Sequence, residues 1–272
     1  MCIRDSPHGA DTVGAGFDEA AGNYDDLLIH NRMGAKRLVD ALPGETYERI
    51  VDVGCGTGFA ALEMHEQHGT TSVVGLDASH EMLEVFRRSA AAIPDLDAQL
   101  HVGDAVALPV VEGSMDAAIS TMAFHWFPDK QAALGQMARA VKPGGVVAVL
   151  TAGRGTDGEL LQVMRQMDPP VPVAWTAVFD YIHRDVPEMH SMLETAGLEA
   201  LDVWTETRYR WIDPANYMAR LQAVAAHLSS DMPLEVALAH GERLMRALQA
   251  QSGPKGFAYT FVKLFAIARK PT

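Results

Sequence analysis

The ten residues VDVGCGTGFA, Val51 to Ala60, constrain the chain more than any other stretch. A β-branched run, YERIVDV (47–53), ends on Gly54, Gly56 and Gly58, and a helical pattern, FAALEMHEQHG, begins at Phe59. A strand that turns at once into a helix opens a crossover unit, because parallel strands need a long connection to pair. Glycine in such a turn permits positive φ and lets backbone approach a ligand closely. Two familiar nucleotide signatures are missing. The dinucleotide fingerprint G-x-G-x-x-G needs glycine where Phe59 stands, and the phosphate loop needs a G-K-[ST] ending that is absent. The turn suits close approach without being a standard pyrophosphate cradle.

The alternation continues downstream. TSVVGLD (71–77), AQLHVGD (98–104), MDAAIST (115–121) and VVAVLTA (146–152) read as four further strands. SHEMLEVFRRSAAAI (79–93) reads as a helix with Ser79 as N-cap and Met82, Val85 and Phe86 on one face. DKQAALGQMARAVKPGG (129–145) reads as a helix stopped by Pro143 and the glycine pair, and residues 17–40 as a helical pattern interrupted near Gly22. Strands alternating with helices in this way predict an α/β fold with a doubly wound, mostly parallel sheet. Ligands of such sheets bind at strand carboxyl ends, near the switch in strand order. Residues 156–167 and 186–197 read as helices, 198–211 and 256–270 as two long strands, and 213–250 as two helices between those strands. The expected organisation is one domain over 17–272, with residues 1–16, opening MCIRDSPHG, a disordered or non-native segment.

Charge narrows the function. The formal net charge is −13, with 10 basic and 21 acidic side chains in residues 1–150 against 12 and 14 in the rest. No basic stripe is present to neutralise phosphates, which argues against nucleic acid as a partner. No run of 18 apolar residues exists, so no membrane insertion is expected. Cys2 and Cys55 are not expected to pair, and the composition suits a cytoplasmic setting.

Two acids follow the turn at matching places. Asp77 ends the second strand, where a carboxylate suits the two hydroxyls of a ribose. A helix-capping role is its alternative, which Ser79 fills better. Asp104 ends the third strand, where it either accepts from an exocyclic amine or serves as a turn residue. Together, VDVGCGTG, GLDAS, GDAVALP and MAFHWFPDKQAALGQMARAVKPGGVVAVL resemble the successive motifs of the class I S-adenosylmethionine-dependent methyltransferases, over residues 17–152. The resemblance implies a Rossmann-like sheet of about seven strands, ended by an antiparallel hairpin, with 213–250 as a helical substrate cover before the last strand. It implies S-adenosylmethionine as cofactor and transfer of its methyl group to a small-molecule acceptor, on oxygen or carbon, by in-line displacement. It also implies residue roles. Gly54, Cys55, Gly56 and Gly58 would pass beside the methionine part, and Asp52 would meet its ammonium group directly or through water. Asp77 would hold the ribose, Ala78 and Met82 would flank the adenine, and Asp104 and Ala105 would read its edge. Thr121 would face the methionine moiety, and Tyr24 would close over the cofactor. The cationic cofactor agrees with the acidic first half.

Methyl transfer needs no nucleophile from the protein, so sequence need not reveal a base. His125, in AFHWF, is the candidate group beside the acceptor, with core packing as its alternative; Phe124 and Trp126 share that choice. His30 is a second candidate for the mouth of the site. Arg208 and Arg210 share one face of their strand, Tyr209 and Trp211 the other. The arginines meet an anionic acceptor or solvent. No metal site is expected: His65 and His68 in HEQH read as a surface pair, since H-E-x-x-H is not completed. Met218, Met232 and Met245 read as core or a pliable pocket wall. The FDEAAGNYDD opening is similar to that of the malonyl-carrier-protein carboxyl methyltransferases. The competing functions are an inert module that binds the same cofactor and a nicotinamide oxidoreductase.

Overall fold

The computed structural model describes residues 29–173, 183–225 and 232–272, together with residues 14, 15, 17, 18, 175, 176 and 179. Helix α1 (Ile29–Val39) leads into β1 (Arg49–Val53), α2 (Phe59–His68), β2 (Ser72–Asp77), α3 (His80–Ala90) and β3 (Asp97–Val102). Then come β4 (Met115–Thr121), a 3-10 turn (Phe124–Trp126), α4 (Lys130–Ala140) and β5 (Val141–Ala152). The remainder holds α5 (Gly158–Gln166), α6 (Val186–Thr195), β6 (Glu199–Ile212), α7 (Pro214–Ala225), α8 (Leu234–Gln251) and β7 (Phe257–Arg269).

The seven strands form one sheet in the order β3-β2-β1-β4-β5-β7-β6. β1 to β5 run parallel, and β7 pairs antiparallel with both β5 and β6. The winding reverses between β1 and β4, so the crevice for a ligand opens past the carboxyl ends of those strands. Four of the five residues of β1 are fully buried, which a central parallel strand covered on both faces requires. One face packs Val51, Val53, Phe124, Leu134 and Met137 with α4 and α6. The other packs Leu38, Ile50, Met64, Leu83 and Phe86 with α1, α2 and α3. A smaller cluster of Leu160, Met164, Tyr217, Leu244, Leu248 and Phe257 gathers α5, α7 and α8 at the start of β7. Met218 belongs to its margin.

Local chemistry sets the boundaries. The Ser79 hydroxyl accepts from the N–H of Met82, capping α3, and Gly69 closes α2 in the left-handed region. Three expectations need correction. Helix α4 stops at Ala140, and β5 starts there instead of at 146. Lys142 precedes Pro143, and the residue before proline is pushed out of the helical region into the extended one. No helix joins β3 to β4; residues 103–114 hold only turns, and Asp104 lies two residues past the strand end. Finally, not all of 1–16 stands off the domain. A Cβ on Gly14 would collide with the carbonyl of Ala78, so Gly14 is buried against a residue of the crevice. Residues 1–13 and 16, Gly22 and its flanks, and 226–231 lie outside the described residues.

Candidate active site

The glycine turn is the floor of the crevice, and its three glycines are required for different reasons. All have positive φ: 71° at Gly54, 53° at Gly56 and 85° at Gly58. A Cβ on Gly54 would strike Ala123, and one on Gly58 would strike the Phe86 ring. A Cβ on Gly56 would meet nothing within 4 Å. Gly54 and Gly58 are thus demanded by packing, while Gly56 leaves backbone open to whatever enters. Gly54, Cys55 and Gly56 line the crevice; Gly58 lies behind it, at the N-terminus of α2.

Asp77 reaches back to the turn. Its Oδ2 accepts from the N–H of Gly56 at 2.8 Å, and its Oδ1 from the N–H of Ser79 at 2.9 Å. Burial holds this carboxyl above its ordinary pKa, and these N–H donors work against the shift. Ala78, Met82, Asp104, Ala105 and Thr121 also line the crevice. Asp104 steadies its own turn by accepting from the N–H of Val106 at 3.2 Å.

Several lining groups carried no sequence signal. Asn31 and Arg32 come from α1, and the Arg32 guanidinium lies 4.4 Å from the centroid of the Phe59 ring. Met122, just past β4, lines the crevice at φ 56°, a backbone state that is costly outside glycine. Phe17 lines it too, edge-on to Trp126 with centroids 6.5 Å apart. Its neighbour Asp18 accepts from the Ser79 hydroxyl at 2.5 Å and from the N–H of Glu81 at 3.2 Å. Asp18 is thereby fastened over the start of α3.

Other expected residues fall elsewhere. Asp52 is fully buried beneath the turn and outside the crevice lining. Neither carboxylate oxygen reaches a hydrogen-bond partner. Burial and then the Asp77 charge push its pKa up to about 8. His125, read as either a group beside the acceptor or a packing residue, has the surroundings of the second. It is 5% exposed, its Nδ1 lies 3.1 Å from the Thr151 hydroxyl, and its ring sits 4.9 Å from that of Trp126. It packs between β4 and β5 and does not line the crevice. Phe124 is core, whereas Trp126 is a lining residue. Tyr24 lies outside the described residues. His65 and His68 each engage backbone carbonyls, and among the described residues no cluster could hold a metal. Cys55 is a buried free thiol. Among the described residues no helix is long and apolar enough to cross a membrane.

A parallel α/β sheet with an open glycine turn and an acid at the end of β2 defines a nucleoside-binding protein. A family model described as a methyltransferase domain matches residues 50–145. A malonyl-[acyl-carrier protein] O-methyltransferase of Methylovorus sp. (strain MP688) is 30% identical over 224 residues, which are 79% of this chain and 73% of the relative. A demethylmenaquinone methyltransferase of Desulfitobacterium hafniense (strain Y51) is 31% identical over 188 residues, 66% of this chain and 73% of the relative. Phosphoethanolamine N-methyltransferase 2 of Haemonchus contortus, solved with S-adenosyl-L-methionine, shares the fold with a TM-score of 0.58 at 18% identity, covering 94% of this chain and 57% of that one. The chain belongs to the class I S-adenosylmethionine-dependent methyltransferases. It is an enzyme that uses S-adenosylmethionine to methylate a small-molecule acceptor.

Proposed function

We propose that the crevice holds S-adenosylmethionine with its ribose on Asp77, its adenine between Ala78 and Met82, and its methionine part over Gly56. The observation that carries this reading is the pairing of Asp77 with the turn. Each carboxylate oxygen uses one acceptor position on a backbone N–H and keeps another for a ribose hydroxyl. Open space above Gly56 supports the same placement. Asp104 and Ala105 then read the adenine edge, and Thr121 faces the methionine end. Arg32 is the group we assign to the methionine carboxylate, a role that no motif announces. Asp52 acts at one remove, through the turn it underlies.

When bound, S-adenosylmethionine supplies a methyl carbon already activated by a sulfonium. The chain need only align the acceptor with that carbon and keep water away. Trp126, Phe127 and Met122 supply the apolar wall for this purpose, and we read α7 and α8 as the cover on the acceptor side. A carboxylate acceptor would need no base, and no imidazole among the described residues lines the crevice. The two relatives act on different acceptors by name, a malonyl group on a carrier protein and demethylmenaquinone; both are candidates here, on oxygen and carbon respectively. A cytoplasmic setting is proposed on the buried free thiol of Cys55.

Calorimetry with S-adenosylhomocysteine and with 5′-methylthioadenosine, which lacks the amino-acid group, tests the placement. Arg32→Ala should weaken the first by about 1–2 kcal/mol, the scale of a partly exposed charge-assisted bond. It should leave the second unchanged. Equal losses for both ligands refute the Arg32 assignment, and no binding of either by the parent protein refutes the cofactor placement.

A further inference from the structure

We propose that two copies of this chain pair antiparallel through the outer edge of β6, about a two-fold axis at Thr207. The two sheets then run on as one. This concerns assembly and is independent of the cofactor.

β6 is an edge strand without the usual protection. Natural edges are kept short, broken by proline or bulges, or studded with lysine, because unpaired N–H and C=O groups are a template for another chain. β6 is 14 residues long and contains neither lysine nor proline. Among the described residues β7 is the only strand paired with it. Its one bulge, between Ala200 and Asp202, lies near its start and leaves 202–212 in regular register with β7. Trp204, Glu206, Arg208 and Arg210 project to the side of α1, where Arg37 lies 3.3 Å from Glu206 and 5.9 Å from the Trp204 ring centroid. Val203, Thr205, Tyr209 and Trp211 project to the other side. There Tyr209 is 72% exposed and Trp211 55%.

Self-complementarity identifies the occupant. A two-fold axis normal to the sheet carries each face onto itself, so only registers that oppose residues of one face are open to it. Like charges directly opposite one another are destabilising. An axis at Glu206 opposes that residue to its own copy, and an axis at Arg208 does the same. An axis at Tyr209 opposes Arg208 to the partner's Arg210, and one at Thr205 drives the pairing through the bulge. An axis at Thr207 opposes Glu206 to the partner's Arg208, and by symmetry Arg208 to the partner's Glu206. It also sets Trp204 against the partner's Arg210, Thr205 against the partner's Tyr209 and Val203 against the partner's Trp211. A guanidinium beside an indole and a branched side chain beside an aromatic one are favourable cross-strand neighbours. The Thr207 axis opposes Asp202 to the partner's Ile212, so it bisects the regular stretch and uses all of it. Charge order and bulge position therefore select one centre independently. Asp202 and Glu206 balance Arg208 and Arg210, so 202–212 is neutral in a chain of net charge −13, and two copies can meet there without the repulsion of the chain as a whole. Within one copy Arg208 lies 3.8 Å from Glu206 with its side chain 65% exposed, which leaves it able to reach across the edge.

Sedimentation velocity of the full chain over a micromolar concentration series tests the pairing. The expected result is a reversible monomer–dimer equilibrium. Arg208→Glu and Glu206→Arg should each raise its dissociation constant tenfold or more, since each places like charges opposite one another. Mixed together, the two variants should pair with each other as tightly as the parent, because every opposed charge then meets its opposite. A chain carrying both changes should pair with itself for the same reason. Mixing cannot cure a folding defect, so this rescue separates the interface from the fold. A parent chain that is monomeric throughout the series, a dimer that Arg208→Glu leaves intact, or variants that do not pair when mixed overturns the inference.

Discussion

Removing the Asp77 carboxylate isolates the ribose contact from the rest of the crevice. Asp77→Ala deletes two acceptors that already engage Gly56 and Ser79 at 2.8 and 2.9 Å. Their remaining acceptor positions are the ones assigned to the ribose hydroxyls. Hydrogen bonds to charged groups contribute about 1.5–3 kcal/mol, so the dissociation constant of S-adenosylhomocysteine should rise roughly ten- to 150-fold. Two effects on stability oppose one another. The N–H groups of Gly56 and Ser79 lose their acceptors, while a carboxylate whose pKa is raised by burial is relieved of that burial. The melting temperature should therefore move little, and calorimetry at 25 °C can be read as binding. Asp77→Asn keeps one acceptor oxygen and should lose less. An Asp77→Ala protein that is folded and binds S-adenosylhomocysteine within about twofold of the parent would refute the ribose assignment.

Other outcomes follow from the same geometry. Gly58→Ala meets both a left-handed φ and the Phe86 ring, so stability should fall by about 2–5 kcal/mol in urea titration, whereas Gly56→Ala should chiefly weaken S-adenosylhomocysteine binding. Asp52 has a folded-state pKa of about 8, above its unfolded value, so the native state retains a proton that the unfolded chain releases as pH rises above about 4. Its burial therefore becomes more destabilising from pH 4 up to 8, and Asp52→Asn should raise the melting temperature more at pH 8 than at pH 5; an equal gain at both would contradict this. His125→Ala should lower stability by about 2–3 kcal/mol through the lost Thr151 contact and packing, with S-adenosylhomocysteine affinity unchanged in calorimetry.

The sheet was legible in the sequence because its signals are local. Alternating glycines after VDV, β-branched runs and capping residues each act within a few positions, and Ser79 and Gly69 cap as their types predict. The end of α4 was misplaced because a helical pattern ran up to Pro143, although the restriction proline imposes begins one residue earlier. The sequence left His125 open between crevice and core because residues after β4 alternate between the two, and only the 3-10 turn decides that Trp126 faces one and Phe124 the other. The contact between α1 and the last strand could not be read at all. His30 and Lys263 are 233 positions apart, and their contact exists only through the packing of α1 on the sheet. Arg32 is hidden for the same reason.

The place of β7 bears on how such a chain is made. The strand synthesised last among the seven lies between β5 and β6, and among the described residues it is the sole strand partner of β6. A ribosome that has released residues up to 212 has therefore exposed a 14-residue strand with nothing to bind it. The five parallel strands can assemble early, but Lys263 reaches His30 only after the final strand slides into its slot. The half of the sheet that carries the glycine turn thus precedes, in synthesis, the strand that seats β6 and meets α1.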